Sequence, residues 1–299
     1  MIFLKITDLK KEEIKNLLRS SSALKEKRKK KKTHHKLDDT NIGLFFETPS
    51  TRTRISFSVG ISELGGNSIF MDQNQLQLAR GEGLKDTGRV LSKYLDAVAI
   101  RALDHQKIKE LAKNSKIPII NAMTKKYHPC QALADLQTIQ EYKKDLKNLK
   151  FGWIGDGNNV CHSNILANSL MNIKTSVATP KGYEPDEEII QKAKELGGEL
   201  KISNEPKEVA KDADVLYTDV WFSTGEKENK SKIKDFSGFK ITNELVEIAE
   251  NDVIIMHCMP IKGREIEREL VDSQHSVIYE QAENRLHTEK ALLIKLLEK

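Results

Sequence analysis

The sequence predicts an α/β protein with two domains, each built on a mostly parallel sheet flanked by helices. Short runs rich in β-branched and aromatic residues alternate with longer amphipathic stretches, an alternation typical of βαβ units. The short runs fall into two sets, one in each half of the chain. A length of 299 residues also fits two domains at about 100 to 200 residues each.

The first half of the chain contains three predicted strands and three predicted helices. The run NIGLFF at residues 41–46 is almost continuously apolar, as expected of a buried strand. The strands are residues 41–46, 97–101 and 117–121, and the helices are residues 10–24, 54–64 and 84–95.

The second half follows the same pattern. Its predicted strands are residues 151–155, 176–179, 215–218 and 253–257, with helices such as 186–196 in the gaps. The amphipathic stretch 129–146 has no strand signal and lies between the two sets, so we expect it to carry the chain from one domain to the other. A final helix is predicted over residues 289–297.

The charge distribution indicates an ordinary solvated surface. The chain carries 49 Lys and Arg against 44 Asp and Glu, a net charge of +5, and the signs are interspersed outside the run KEKRKKKK at residues 25–32. That run by itself suggests a nucleic-acid-binding protein. Because it lacks interleaved aromatic residues, a solvated charge cluster is favoured, and no nucleic acid is expected as a partner.

The cysteines and the apolar runs bear on the cellular compartment. Cys130, Cys161 and Cys258 are far apart and form no CxxC pair, which argues against a disulfide framework and a zinc knuckle. No apolar run reaches the ~20 residues needed to span a bilayer, and the first residues lack the pattern of a signal peptide. We therefore expect a cytoplasmic protein with no membrane partner.

Polar residues follow the predicted strands at the edge where open parallel sheets bind their ligands. The series Ser50, Thr51, Arg52, Thr53 and Arg54 comes after the strand 41–46 and opens a helix. Hydroxyl and guanidinium groups at a helix N-terminus suit an anion such as phosphate. A helix cap with surface arginines is the alternative, and the length of the series favours the anion site.

Arg101 ends the predicted strand 97–101, and His128 comes after the strand 117–121. Arg101 would supply the second positive group that a dianionic phosphate requires, although a surface ion pair is its alternative. His128 is interpreted as a hydrogen-bond donor rather than a metal ligand, because no partner stands at ligand spacing. A carbonyl carbon under attack develops oxyanion charge, which His128, Thr53 and Arg101 could stabilise.

The run GDGNN at residues 155–159 resembles the start of a dinucleotide fingerprint. Val160 occupies the place of its third glycine, and no acidic residue ends the next strand. An NAD-dependent dehydrogenase is therefore a rival but not the favoured function. Asn159 is instead expected to present its amide to a polar substrate.

Asp219 and Cys258 follow strands of the second half. Asp219 precedes the loop Ser223-Thr224-Gly225 and offers an anionic group that could bind an amine. His257 adjoins Cys258, and on a strand their side chains would point to opposite faces. Because a nucleophilic cysteine needs an activating base, we expect Cys258 to position or polarise the substrate rather than to attack it.

Taken in order, these motifs resemble those of the aspartate/ornithine carbamoyltransferase family, and in particular of its ornithine carbamoyltransferases. The resemblance implies transfer of the carbamoyl group of carbamoyl phosphate to the side-chain amine of L-ornithine, giving L-citrulline and phosphate with no metal and no organic cofactor. The matching segments are residues 50–54, 80–82, 85–87, 128–131, 155–159, 219–225, 257–260 and 283–285.

The resemblance also implies individual roles, with Arg101, His128, Asp219 and Cys258 as the catalytic candidates. It implies an active site shared between the subunits of a homotrimer, so that Gln77 would come from a neighbouring subunit. The residues implied for ornithine are Asn159, Asp219, Ser223 and Thr224. Those implied for carbamoyl phosphate are Ser50, Thr51, Arg52, Thr53, Gln77, Arg101, His128, Pro129, Cys130, Gln131, Cys258, Met259 and Arg285.

The family's architecture implies a carbamoyl phosphate-binding domain at residues 1–135 and an ornithine-binding domain at residues 136–285, joined by two interdomain helices. The C-terminal helix, residues 286–299, would return to the first domain. Two positions depart from the family's usual Met and Leu, namely Thr224 and Met259. Met259 preserves side-chain volume, whereas Thr224 leaves putrescine and acetylornithine as alternative acceptors. Arginine biosynthesis is the expected setting, although the reverse direction would use the same residues.

Overall fold

The structure is a computed structural model that describes residues 2–32 and 34–298 of the chain. It divides into two compact units: unit 1 is Met1–Gln137 with Glu283–Lys299, and unit 2 is Thr138–Ala282. The boundaries fall within two helices, Pro129–Lys143 and Ile278–Leu297. Each unit contains a five-stranded sheet in which every strand pair is parallel, which confirms the predicted α/β class.

The sheet of unit 1 has the strand order β1-β5-β4-β2-β3. Its inner strands are buried along nearly their whole length, because helices cover both faces of a parallel sheet. The strands are β1 (Ile2–Phe3), β2 (Asn41–Phe46), β3 (Asn67–Asp72), β4 (Ala97–Arg101) and β5 (Ile119–Met123). The helices are α1 (Lys11–Lys29), α2 (Thr51–Glu63), α3 (Leu84–Tyr94), α4 (His105–Asn114) and the first part of α5 (Pro129–Lys143).

The sheet of unit 2 has the strand order β10-β9-β6-β7-β8. Its strands are β6 (Lys150–Ile154), β7 (Lys174–Ala178), β8 (Leu200–Ser203), β9 (Val215–Thr218) and β10 (Ile254–His257). Its helices are α6 (Asn159–Met171), α7 (Glu187–Glu195), α8 (Pro206–Ala210), α9 (Lys230–Asp235), α10 (Asn243–Glu247), α11 (Arg268–Val271) and the start of α12 (Ile278–Leu297). No helix among the described residues is long and apolar enough to cross a membrane.

Three edge strands were not predicted from the sequence: β1, β3 and β8. Four of the six residues of β3 are exposed, and β8 has no buried residue. An edge strand pairs on one side only and needs no continuous apolar run, so its sequence signal is weak.

Two helices extend at least five residues beyond their predicted bounds. Helix α1 continues past residue 24 to Lys29, and Lys25 of the basic run is buried with its Nζ 2.7 Å from Asn284 Oδ1. The run is therefore not solvated throughout. Helix α12 begins at Ile278 rather than at residue 289, because much of its buried face is polar and gives no apolar periodicity.

Candidate functional site

The predicted anion site lies at the N-terminus of α2. Ser50 caps this helix, and its Oγ accepts a hydrogen bond from the backbone N–H of Thr53 at 3.3 Å. Ser50, Thr51 and Arg54 line a cavity of about 590 Å³ together with Phe70. The guanidinium carbon of Arg54 lies 3.7 Å from the centre of the Phe70 ring, a cation–π contact. Hydroxyl groups, a helix N-terminus and a guanidinium group thus meet in one cavity, and these groups suit a small anion. The carboxylates of Glu47 and Asp72 also line the cavity, whereas the predicted residues Arg52, Thr53, Arg101 and His128 do not.

The guanidinium group of Arg101 and the imidazole of His128 are both buried in unit 1. Arg101 is 8% exposed, and its Nε donates a hydrogen bond to Thr48 Oγ1 at 3.2 Å. Burial, reinforced by the charges of Arg285, Arg101 and Arg52, holds the pKa of His128 well below its ordinary value. The His128 ring is therefore neutral near pH 7, and one of its nitrogens carries a hydrogen that can be donated to a ligand.

Arg285 on α12 joins side chains from α2 and α5. Its Nη1 donates to Gln131 Oε1 at 3.0 Å, and its Nη2 lies 3.4 Å from Thr53 Oγ1. Glu289 Oε1 accepts from Arg285 Nη2 at 2.6 Å and from Nε at 3.0 Å, while Glu289 Oε2 accepts from Ser56 Oγ at 2.5 Å. Thr53, Gln131 and Arg285 belong to the predicted site, whereas Glu289 and Ser56 were not predicted. The spacing of Arg285 and Glu289, four residues apart on one helix, was the available signal.

The other predicted residues of unit 1 have different surroundings. Pro129 is the first residue of α5. Cys130 is buried and its Sγ donates to the backbone oxygen of Asn121 at 3.4 Å. Burial raises the pKa of the Cys130 thiol, so this side chain stays protonated and unreactive. Gln77 is exposed at the start of a 3₁₀ turn and does not line the cavity beside α2.

Asp219 follows β9 in unit 2 and accepts hydrogen bonds from two other segments. Asn158 Nδ2 donates to Asp219 Oδ2 at 2.8 Å, and Cys258 Sγ donates to Asp219 Oδ1 at 3.1 Å. Asn158 also caps α6, where its Oδ1 accepts from the N–H of Val160 at 2.9 Å. Asp219 and Cys258 are thus brought together, and Asn158, which the sequence analysis did not select, completes the group. Asn159 is the buried first residue of α6.

His257 fixes the segment that follows β10. The backbone N–H of Met259 donates to His257 Nδ1 at 2.8 Å, so Nε2 carries the hydrogen and donates to Glu265 Oε1 at 3.1 Å. Both side chains of this pair are almost completely buried. The two ring nitrogens are therefore engaged by Met259 and Glu265 and not by Cys258.

Asp219, His257 and Cys258 each offer one potential metal-ligand atom, and these atoms lie within 4.8 Å of one another. A metal ion here would have to break the Cys258–Asp219 hydrogen bond or one of the hydrogen bonds of His257. The donor atoms are already satisfied by protein groups, so we assign no metal to them.

Ser223 and Thr224 lie on the loop that follows Asp219. Ser223 is half-buried and Thr224 is exposed. The backbone N–H of Ser223 donates to Glu226 Oε2 at 3.0 Å, and the N–H of Glu226 donates to the Ser223 oxygen at 3.0 Å. Glu226 therefore closes this loop on itself, although no motif drew attention to it.

Two protein-family models together match nearly the whole chain. Residues 2–141 match the family model for the carbamoyl-P binding domain of aspartate/ornithine carbamoyltransferase, and residues 147–296 match the model for its Asp/Orn binding domain. The ornithine carbamoyltransferase of Methanosarcina mazei is 48% identical over 296 residues, covering 98% of both chains. That of Archaeoglobus fulgidus is 45% identical over 298 residues, covering 99% of this chain and 97% of its own.

Solved structures agree with these matches. The ornithine carbamoyltransferase from Pyrococcus furiosus is similar to this chain with a TM-score of 0.94 and 43% identity, covering 99% of this chain and 96% of its own. The anabolic ornithine carbamoyltransferase from Campylobacter jejuni gives a TM-score of 0.92 at 40% identity, covering 98% of each chain. The resemblance seen in the motifs is confirmed, and the chain belongs to the aspartate/ornithine carbamoyltransferase family.

Proposed function

We propose that this chain transfers the carbamoyl group of carbamoyl phosphate to the side-chain amine of L-ornithine, giving L-citrulline and phosphate. The observation that carries the proposal is the full-length similarity to relatives named ornithine carbamoyltransferase, at 48% and 45% identity for the two described above. A carbamoyl-P binding domain matches residues 2–141. Nothing in these relatives favours putrescine, acetylornithine or a nicotinamide cofactor.

Carbamoyl phosphate is assigned to the cationic residues of unit 1. Its phosphate would lie against Ser50, Thr51, Arg52 and Thr53, where a helix N-terminus and a guanidinium group favour an anion. Its carbonyl oxygen would accept hydrogen bonds from neutral His128 and from Arg101. The remaining contacts proposed for carbamoyl phosphate come from Gln77, Pro129, Cys130, Gln131, Cys258, Met259 and Arg285.

Ornithine is assigned to unit 2. Asp219 is an anionic side chain and would hold the α-amino group. Asn159, Ser223 and Thr224 would bind the remaining polar groups of the amino acid. Cys258, which donates to Asp219, would help to position the substrate rather than act as a nucleophile.

The chemistry requires one bond to form and one to break. The neutral side-chain amine of ornithine attacks the carbonyl carbon, and oxyanion charge develops that His128 and Arg101 stabilise. The bond from the carbon to the phosphate oxygen then breaks, and the departing phosphate takes the proton that the amine loses. Because such an amine has a reference pKa near ~10.4, most of it is charged at neutral pH and must release one proton to the solvent before it attacks. Orientation of the two substrates supplies the rest of the rate.

Three further properties belong to this proposal. Residues 1–135 with 286–299 would form the carbamoyl phosphate-binding domain and residues 136–285 the ornithine-binding domain. The enzyme would work as a cytoplasmic homotrimer that shares its active sites through Gln77. Its expected setting is arginine biosynthesis.

An acceptor assay tests the proposal. The purified chain is supplied with carbamoyl phosphate and, in separate reactions, with ornithine, putrescine, acetylornithine or aspartate, and the ureido product is identified by mass spectrometry. We expect citrulline to form with a kcat/KM about 100-fold or more above that of any other acceptor, a preference of about 2.7 kcal/mol. A higher kcat/KM with another acceptor would overturn the assignment of ornithine.

A further inference from the structure

Lys232 is a buried lysine in unit 2 that the proposed mechanism does not use. It lies on the short helix α9, where the side chain of Asn229 accepts from the N–H of Lys232 at 2.8 Å. The residue is only 7% exposed. An ammonium group is rarely buried unless acidic partners compensate for its lost hydration.

Two carboxylates provide that compensation. Lys232 Nζ lies 2.9 Å from Asp156 Oδ2 and 3.1 Å from Glu226 Oε2. These partners belong to different segments: Asp156 is part of the run GDGNN, and Glu226 follows the loop Ser223-Thr224-Gly225. The ammonium group therefore bridges two segments that are 70 residues apart in the chain, counting from Asp156 to Glu226.

Aromatic rings surround the same ammonium group. The ring centres of Tyr183, Phe236 and Phe222 lie 5.2, 5.4 and 5.5 Å from Lys232 Nζ. Cation–π attraction at these distances favours the charged form and fixes where Nζ can lie. Tyr183 also packs edge-on against Phe236 with their centres 4.8 Å apart, so this wall is itself rigid.

Each carboxylate leads to residues assigned to ornithine. Glu226 Oε2, which accepts from Lys232, also accepts from the backbone N–H of Ser223 at 3.0 Å. On the other side, Asp156 precedes Asn158 by two residues, and Asn158 donates to Asp219 at 2.8 Å. Both segments that would bind the amino acid are thus tied to one cation.

We propose that Lys232 is a positioning residue for the amino acid acceptor. It holds the loop Ser223-Thr224-Gly225 through Glu226 and the run GDGNN through Asp156, so that the groups assigned to ornithine keep fixed places. This inference rests on the proposed function and deepens it. Lys232 touches no substrate in this scheme and acts through its two carboxylate partners.

The test is Lys232→Met, assayed with ornithine varied at saturating carbamoyl phosphate and then with carbamoyl phosphate varied at saturating ornithine. Methionine keeps the apolar contact with the rings but removes the charge. We expect KM for ornithine to rise 10-fold or more while KM for carbamoyl phosphate changes less than twofold. Lys232→Arg keeps the charge and should recover most of the ornithine affinity. Lys234→Met, an exposed lysine of the same helix, is the matched control.

A purely structural ion pair would not produce this split between the two substrates. An unchanged ornithine KM in folded Lys232→Met, or an equal rise in both KM values, would overturn the inference. If Lys232→Met fails to fold, Glu226→Gln decides, because a glutamine at this half-exposed position can still accept from the N–H of Ser223 while the charge that pairs with Lys232 is lost. Glu226→Gln must then raise KM for ornithine alone. A wild type that forms no citrulline would instead reject the proposed function.

Discussion

At the scale of single residues, the charged groups proposed for the two substrates are opposite in kind. In unit 1, Arg101 and Arg285 are buried cations, and His128 is a neutral donor whose pKa burial and neighbouring arginines hold low. In unit 2, Asp219 is a buried carboxylate that already accepts hydrogen bonds from Asn158 and Cys258. A dianion and an amine would therefore prefer different units.

This difference predicts that substitutions separate the two affinities. Arg52→Ala should raise KM for carbamoyl phosphate 10-fold or more, with little change for ornithine, because it removes a cation that we propose binds the phosphate. Asp219→Asn should raise KM for ornithine by about 100-fold, since a charge-assisted hydrogen bond is worth about 1.5–3 kcal/mol. Steady-state kinetics with each substrate varied in turn measures both. Equal effects of either variant on the two KM values would contradict the assignment of the phosphate to Arg52 and of the α-amino group to Asp219.

At the scale of elements, the second glycine of GDGNN, Gly157, has a structural role other than nucleotide binding. A Cβ added at Gly157 would lie 2.4 Å from the backbone nitrogen of Pro185 and 2.6 Å from the backbone oxygen of Tyr183. The N–H of Gly157 also donates to that Tyr183 oxygen at 2.9 Å. The segment before α6 thus packs directly on the segment before α7, and only glycine fits between them.

We expect Gly157→Ala to destabilise unit 2 by about 3 kcal/mol, because the clash is with backbone that cannot rotate away. Urea unfolding followed by the fluorescence of Trp153 and Trp221, both of which lie in unit 2, measures the loss. Gly238→Ala is the control, since a Cβ there meets nothing within 4 Å. Equal stability of the two variants would show that the contact at Gly157 relaxes at no cost.

The limits of sequence-based prediction also appear at the scale of elements. Strands β2, β4 and β9 match their predicted bounds, because buried parallel strands carry apolar runs. The first part of α12 was missed because its buried side chains include Gln281, Asn284 and Arg285. Burial of polar groups is stabilised by partners from distant segments, and a local pattern does not reveal such partners.

The same reason explains which residues could be proposed for the site from the sequence. Those at or after the end of a predicted strand, such as Ser50, Arg101 and Asp219, stand at a position that topology alone marks. Lys232 and Glu289 stand inside helices, and their importance depends on contacts with Asp156 and with Ser56 and Arg285. Only the three-dimensional structure brings these partners together.

At the scale of the whole molecule, buried histidines make unit 1 sensitive to acid. Burial, with the charges of nearby lysines, lowers the pKa of His105 from 6.5 to about 4. Burial likewise lowers the pKa of His287 to about 4 and places that of His128 well below 6.5. The unfolded chain then binds protons that the folded chain does not, so the free energy of unfolding falls as the pH drops from about 6.5 towards 4.

Asp156 in unit 2 has the opposite effect on the free energy of unfolding over the same pH range. Burial raises the pKa of Asp156 from 3.8 to about 6, although Lys232 opposes the rise. Folded Asp156 therefore takes up a proton between pH 6 and 4 while the unfolded chain does not, which stabilises unit 2 as the pH falls. The two units should respond differently to the same mild acidification.

Native-state hydrogen exchange at pH 7 and pH 5, corrected for intrinsic exchange rates, measures each unit separately. We expect the opening free energy of β4 and β5 to fall at pH 5, with about 1 kcal/mol of the change due to His105 after allowance for partial solvent screening. His105→Gln should remove that share, because glutamine does not titrate. The opening free energy of β6, which immediately precedes the Asp156 segment, should not fall in parallel. A parallel fall in both sheets, unchanged by His105→Gln, would place the acid sensitivity in groups other than these buried side chains.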